Sequence, residues 1–304
     1  MAESELAAGS PSFSVAQLLG GMLRLARPKD WVKNVFVLLP VPFALKAGAH
    51  LDWTGFTLGL FGFCLLNSAI YTLNDLYDAK ADRLHPTKCR RPIAAGIVPP
   101  WAAVFQCTTL LLAGLWLCYA IHKPPAPAIV IAYVLVNIAY NAGAKHVTLL
   151  DVFLLSSGFV IRVLLGCALM VAEPSPWLLL CTSTLALFLG FAKRRADLTQ
   201  ELDGNHRPSL RGYSKGFLDQ AVGISAGVAL LSYGLYCIEV RNVLLPSREM
   251  ASMPFVAYGI LNYLRLVYVE GAGGSPVETA YRSLSTQICG VGWLVAVTWS
   301  LGLW

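Results

Sequence analysis

Charge is what this sequence has least of. Asp, Glu, Lys and Arg make up 13% of its 304 residues, against roughly a quarter in soluble domains. So thin a polar complement excludes an ordinary water-soluble fold, and no nucleic-acid partner is expected. Histidine is sparse too: five residues, scattered, with no cluster that would ligate a metal. The eight cysteines (64, 89, 107, 118, 167, 181, 237 and 289) lie mostly inside apolar runs and lack metal-ligand spacing. They read as small core residues rather than disulfide partners or zinc ligands. Residues 1 to 12 have no apolar signal-peptide core, and residues 1–14 are expected to form a disordered tail. Gly271-Ala272-Gly273-Gly274 lacks the flanking strand and helix that a phosphate-cradling glycine loop needs.

What is present is apolar. The chain is 56% hydrophobic, in runs too long and continuous for barrel strands, so an all-α polytopic membrane protein is expected. Val15 to Ala26 is weakly amphipathic and suits the membrane interface. Nine stretches of roughly spanning length follow: 31–47, 53–75, 101–121, 124–142, 148–170, 176–195, 216–239, 250–269 and 282–304. Pro40 and Pro42 predict a kink or tilt in the first. Residues 15–304 are expected to form one transmembrane catalytic domain. Seventeen Lys and Arg flank the spans on the side of the N-terminus and the even-numbered span ends, against four on the other. That asymmetry places the first side in the cytoplasm of a cell-membrane protein.

The stretch that carries chemistry is Asn74-Asp75-Leu76-Tyr77-Asp78-Ala79-Lys80-Ala81-Asp82, at the end of the apolar run Phe56–Leu73. If the helix continues, Asn74, Asp78 and Asp82 share a face, and Asp75 lies beside Asp78. Three such carboxylates repel one another unless a cation joins them, and oxygen-only ligands suit Mg2+. The plainer reading pairs these acids with Lys80 and Arg83. The bases that follow, Lys88, Arg90 and Arg91 among them, favour a metal-diphosphate site. After the sixth stretch comes Lys193-Arg194-Arg195-Ala196-Asp197-Leu198-Thr199-Gln200-Glu201. Lys193 and Arg194 suit phosphate, and Arg195 equally suits a membrane anchor. Asp197 and Glu201 suit either a second metal or pairing with Lys193 and Arg194. Tyr140 and Lys145 lie between the fourth and fifth stretches, and Lys145 is a candidate phosphate contact. Arg162 sits midway along the fifth stretch, where an unpaired arginine is costly and is expected to face a wet or anionic cavity. Asp151, its alternative partner, lies three turns away. Arg27, Lys29 and Lys33, in a polar and aromatic segment near the entrance, suit either lipid anchoring or substrate phosphate, and Lys29 and Lys33 favour the latter. Tyr213 and Lys215 lie in a polar loop that could close over the site.

These residues resemble a known family. Asn74-Asp75-x-x-Asp78-x-x-x-Asp82 is similar to the first aspartate motif of the UbiA-type prenyltransferase superfamily. Further stretches resemble its decaprenyl-phosphate phosphoribosyltransferase branch: Arg27-Pro28-x-x-Trp31-Val32-Lys33-Asn34, Asp82 through Gly96, Ile161-Arg162, and Lys193-Arg194 with Asp197. Asp197 stands where that branch is expected to carry Glu. The resemblance implies a UbiA-type bundle around a central cavity open to the cytoplasm. It implies transfer of 5-phosphoribosyl from phosphoribosyl diphosphate (PRPP) to a polyprenyl phosphate, with release of diphosphate, toward cell-wall arabinan precursors. On this reading Asp75, Asp78 and Asp82 hold Mg2+, and Asn74 orients a ligand. Lys88, Arg90 and Arg91 bind PRPP, Lys193 and Arg194 bind phosphate, and Lys29, Lys33, Tyr140, Lys145, Arg162 and Asp197 complete the substrate site. A homo-oligomer is left open. The alternatives are an aromatic prenyltransferase using a prenyl diphosphate, a transporter, and a structural scaffold. A transporter would want charge along a midplane path, and a scaffold leaves the acidic and basic clusters unexplained.

Overall fold

The computed structural model describes residues 14–199, 208–271, 279 and 282–303. Glu201, Ala272 to Gly274 and residues 1–13 of the expected tail lie outside them. The described residues are helical, with no strand. The α-helices are α1 (Val15–Ala26), α2 (Val41–Lys46), α3 (Trp53–Arg83), α4 (Pro100–Ala120), α5 (Pro125–Asn141), α6 (Leu150–Leu169), α7 (Pro176–Thr199), α8 (Lys215–Glu239), α9 (Met253–Tyr268) and α10 (Leu284–Ser300). Five of these, α3, α4, α6, α7 and α8, are long and apolar enough to cross a membrane. α4 displays Trp101, Phe105, Leu112 and Trp116 on its surface, as a helix facing hydrocarbon does.

The expected first span, 31–47, is not one continuous helix. Pro28–Leu38 forms a 3-10 helix, and the α-helical geometry resumes only over the six residues of α2. Pro40 and Pro42 bring no N–H to a helical ladder there. The other eight stretches coincide with α3 to α10 to within a few residues at most ends. The larger departures are at C-terminal ends: α3 continues eight residues past the expected end and α7 four, while α10 stops four residues short.

The chain divides into two compact units. The first holds the described residues up to Val32 together with Phe61–Trp116, and the second holds Lys33–Leu60 and the chain from Leu117. In the first, Leu25, Ile93, Val98, Ala102 and Ala103 form a core with Leu76 and Ala79 of α3 packed against it. α1 presses close because Gly21 has no Cβ: one would stand 2.7 Å from a Val98 methyl. In the second, Val152, Phe188, Leu210, Leu218, Val222, Tyr263 and Val267 belong to one core joining α6, α7, α8 and α9. Arg195 pins three of these helices: its Nε lies 2.5 Å from Asp219 Oδ1, its Nη1 donates to the Val267 carbonyl, and its guanidinium covers the Tyr268 ring. Arg195 is thus a buried tie between helices, where the sequence reading offered a membrane anchor. All eight cysteines are free thiols.

Candidate active site

In the first unit the site is built on the end of α3. At 1.5 Å per residue its 31 residues run about 46 Å, beyond the roughly 30 Å of a bilayer core, so the polar end from Asn74 emerges. Burial pairs Asp75 with Asp82, seven residues apart and on one face, at 2% and 3% exposure. Asn74 and Asp78 are half-buried. The two buried carboxylates meet on one nitrogen: Arg91 Nη1 lies 3.1 Å from Asp75 Oδ1 and 2.7 Å from Asp82 Oδ2. Arg27 Nη2 lies 2.6 Å from the same Asp75 oxygen. The partners of these acids are thus Arg27 and Arg91, where the plainer sequence reading named Lys80 and Arg83.

Local chemistry brings both arginines there. Arg27 caps α1 in left-handed geometry. The segment after it is tied to α3 by Trp31 Nε1 donating to Ser68 Oγ, which donates to the Ala26 carbonyl. Past Asp82 the chain turns on His85, whose Nδ1 accepts from the backbone N–H groups of Thr87 and Lys88. A short 3-10 turn, Lys88–Arg90, then returns Arg91 to the acids. Gly96, at φ +73°, closes the turn that follows. Lys88 is half-buried, Arg90 and Lys29 are exposed.

Asp75 and Asp82 fit a hard divalent cation. They are oxygen donors converging on a point that a cationic group already holds, and two carboxylates are what Mg2+ usually takes from a protein. Among the described residues no group of three or more His, Cys, Asp or Glu side chains has metal-holding geometry. Asp78 does not complete such a set.

The second unit holds a different cluster. Arg194 is fully buried, with Nε 2.6 Å from Asp151 Oδ2 and Nη1 3.1 Å from Asp197 Oδ2. Asp151, also fully buried, accepts from Ser209 Oγ at 3.1 Å and from the Tyr213 hydroxyl at 2.8 Å. That hydroxyl in turn accepts from the Leu149 backbone N–H at 2.8 Å. Burial, and then the hydrogen bond to Asp151, push the Tyr213 phenol pKa up, so it stays a donor. Arg194 Nη2 is buried and has no acceptor among the described residues.

Asp151 is therefore the partner of Arg194, not of Arg162. Arg162, 5% exposed, donates from Nε to Asn34 Oδ1 at 3.0 Å and from Nη1 to the Gly158 carbonyl at 2.8 Å, and lies over the rings of Tyr133 and Phe159. Lys33, Tyr140, Lys145 and Lys193 are half-buried in this unit. Tyr213 is buried and bonded, unlike the open loop residue expected. Sequence reasoning misses Arg27, Asn34, Asp151, Ser209 and Tyr213 as partners in these clusters. Arg27 and Asn34 carry one signal, their place in the Arg27-to-Asn34 motif.

Known proteins resemble the chain along most of its length. The UbiA prenyltransferase family model matches residues 34–272. The chain is 33% identical over 292 residues to a Mycobacterium tuberculosis protein named decaprenyl-phosphate phosphoribosyltransferase, covering 93% of this chain and 94% of that one. It is 33% identical to the Mycolicibacterium smegmatis protein of the same name, covering 96% and 94%. Among solved structures, a UbiA homolog from Archaeoglobus fulgidus bound to GPP and Mg2+ superposes with a TM-score of 0.68 at 18% identity, covering 93% of this chain and 99% of that one.

Proposed function

The chain belongs to the UbiA prenyltransferase family, and we propose that it transfers 5-phosphoribosyl from PRPP to decaprenyl phosphate or a similar polyprenyl phosphate. The products are the phosphoribosyl lipid and diphosphate, a step toward arabinan precursors. The observation that carries this reading is the end-to-end likeness, at 33% identity, to proteins named for that reaction. The family match runs through both units, which supports reading 15–304 as one catalytic domain. Nine spans, a cavity open to the cytoplasm and a cell-membrane location belong to the proposal. Among these, the charge asymmetry supports the orientation.

Asp75 and Asp82, with Asp78 and Asn74 beside them, would hold Mg2+. The metal, when bound, supplies neutralisation of charge on a leaving diphosphate. The chain's own residues do the remainder. Lys88, Arg90 and Arg91 bind diphosphate oxygens. Lys193 and Arg194 take the 5-phosphate or the acceptor phosphate. Lys29, Lys33, Tyr140, Lys145, Arg162 and Asp197 line the substrates. The C1–O bond to diphosphate breaks with its electron pair leaving on diphosphate. A lipid phosphate oxygen forms the new bond at C1 from the opposite face, inverting that centre. The acceptor is already anionic, so no strong general base is required, and catalysis is positioning and electrostatics.

The test is incubation of purified protein with PRPP, Mg2+ and polyprenyl phosphates of several lengths, followed by mass spectrometry of the lipid. A phosphoribosyl lipid is expected. Product only from a prenyl diphosphate and an aromatic acceptor would overturn the reading.

A further inference from the structure

The Arg194 cluster carries an assignment beyond the phosphate contact given to Arg194 itself. Two of the three guanidinium nitrogens are committed to carboxylates, Nε to Asp151 and Nη1 to Asp197. The third, Nη2, is buried without an acceptor among the described residues. Buried donors are almost always satisfied in native proteins, and one left over calls for an explanation. An oxygen of an anion is the acceptor such a cationic donor suits. Arg194 therefore offers an anion chiefly its Nη2, whose two N–H groups are useful only if their direction is fixed.

The fixing runs through Asp151. It stands in the first turn of α6 and has both oxygens occupied, Oδ2 by Arg194 and Ser209 and Oδ1 by the Tyr213 hydroxyl. Tyr213 also takes the N–H of Leu149, the residue before α6, whose φ is +68°. That is a backbone conformation that leucine rarely adopts, and such strain concentrates where a structure holds something in place. The segment that brings Ser209 and Tyr213 is itself packed close. Thr148 Oγ1 donates to the Ser209 carbonyl, and a Cβ at Gly212 would run into that same Thr148 oxygen.

We propose that Asp151, held by Tyr213 and Ser209, is a positioning residue that orients Arg194 so that Nη2 donates to a phosphate oxygen of one of the two substrates. This rests on the transferase reading above. Tyr213 and Ser209 act through Asp151 and touch no substrate. Loss of the Tyr213 hydroxyl loosens Asp151 and hence the direction of Nη2.

The experiment measures KM for PRPP and for decaprenyl phosphate separately, in wild type, Tyr213→Phe, Arg194→Lys and the double variant. Tyr213→Phe is expected to raise KM about tenfold for one substrate, since a small misplacement of a binding group costs about this much or more. Arg194→Lys must raise KM for that same substrate, and the double variant must lie well short of the product of the two effects. A merely structural tyrosine would instead lower the active fraction, leaving both KM values alone. That result, effects on different substrates, or a multiplicative double variant overturns the assignment. Asp151→Asn leaves a buried cation half-paired, so Tyr213→Phe, which removes one oxygen, is the decisive variant. A wild type inert with PRPP and decaprenyl phosphate sinks the transferase reading, and this inference with it. An active wild type with uncoupled variants sinks the inference alone.

Discussion

Arg91 occupies the place between Asp75 and Asp82 that a divalent ion would take, so Arg91→Gln should sharpen metal binding while blunting PRPP binding. The magnitude follows from the geometry. Arg91 Nη1 touches both carboxylates, at 3.1 and 2.7 Å, and its side chain is 24% exposed. At an effective dielectric near 20, unit charges about 4 Å apart interact by about 4 kcal/mol. For partly exposed pairs the net worth after solvation is roughly 0.2–1 kcal/mol each. Two contacts thus oppose a metal by about 1.4 kcal/mol, which is tenfold in affinity. Arg27 remains on Asp75 in the variant, which keeps the acids partly compensated.

The assay is Mn2+ binding to detergent-solubilised protein without substrate, read by the loss of the free-ion electron paramagnetic resonance signal. Arg91→Gln should bind Mn2+ about tenfold more tightly than wild type, and its KM for PRPP should rise. Unchanged or weaker Mn2+ binding would refute the reasoning. It would mean that Arg91 braces the carboxylates for the metal instead of competing with it.

Asp75→Asn or Asp82→Asn should abolish Mg2+-dependent turnover of labelled PRPP in detergent, and near-normal rates in both would remove the metal role from this stretch. Arg195→Ala should cost about 2 kcal/mol of stability by stranding Asp219 and the Val267 carbonyl. It should lower the melting temperature and leave both KM values as they were. Gly166→Ala should destabilise by about 1–3 kcal/mol, because its Cβ would overlap the Val37 carbonyl oxygen. A melting curve that matches wild type would show that this backbone approach is not tight in solution.

Much of the helical order is legible because apolar runs and flanking prolines are local signals. Pro100, Pro125 and Pro176 each open a helix where the run begins. The 31–47 segment misleads because its composition is that of a span, while Pro28, Pro40 and Pro42 deny it a continuous ladder. Spacing reveals the aspartates but not their partners. Arg27 lies 48 residues before Asp75, and Arg194 lies 43 after Asp151. No periodicity links positions so far apart. Placing Asn74, Asp78 and Asp82 on one face is sound helix geometry, yet packing from α1 and Ile93–Val98 buries Asp75 and Asp82 instead. Arg162 looks unpaired in sequence for the same reason, since its partner Asn34 is 128 residues away.

The two clusters are built with opposite polarity. In the first unit the acids are fixed and the bases are movable: the Asp75 and Asp82 side chains are 1% and 4% exposed, and those of Arg27 and Arg91 are 26% and 24%. Burial holds the negative groups in place while their counter-ions reach solvent, so another cation can replace them with little rearrangement. In the second unit the base is fixed. Arg194 is wholly enclosed and its direction is set by two carboxylates, one of them saturated by Ser209 and Tyr213. The donor left over there, Nη2, suits an anion, not a cation. Groups held rigid before a ligand arrives cost no reorganisation when charge moves. A transferase that must bind a metal-diphosphate and a separate phosphate needs one fixed pattern of each sign. In the proposed reaction, Asp75 with Asp82 is the fixed negative pattern of the first unit, and Arg194 with Asp151 the fixed positive pattern of the second.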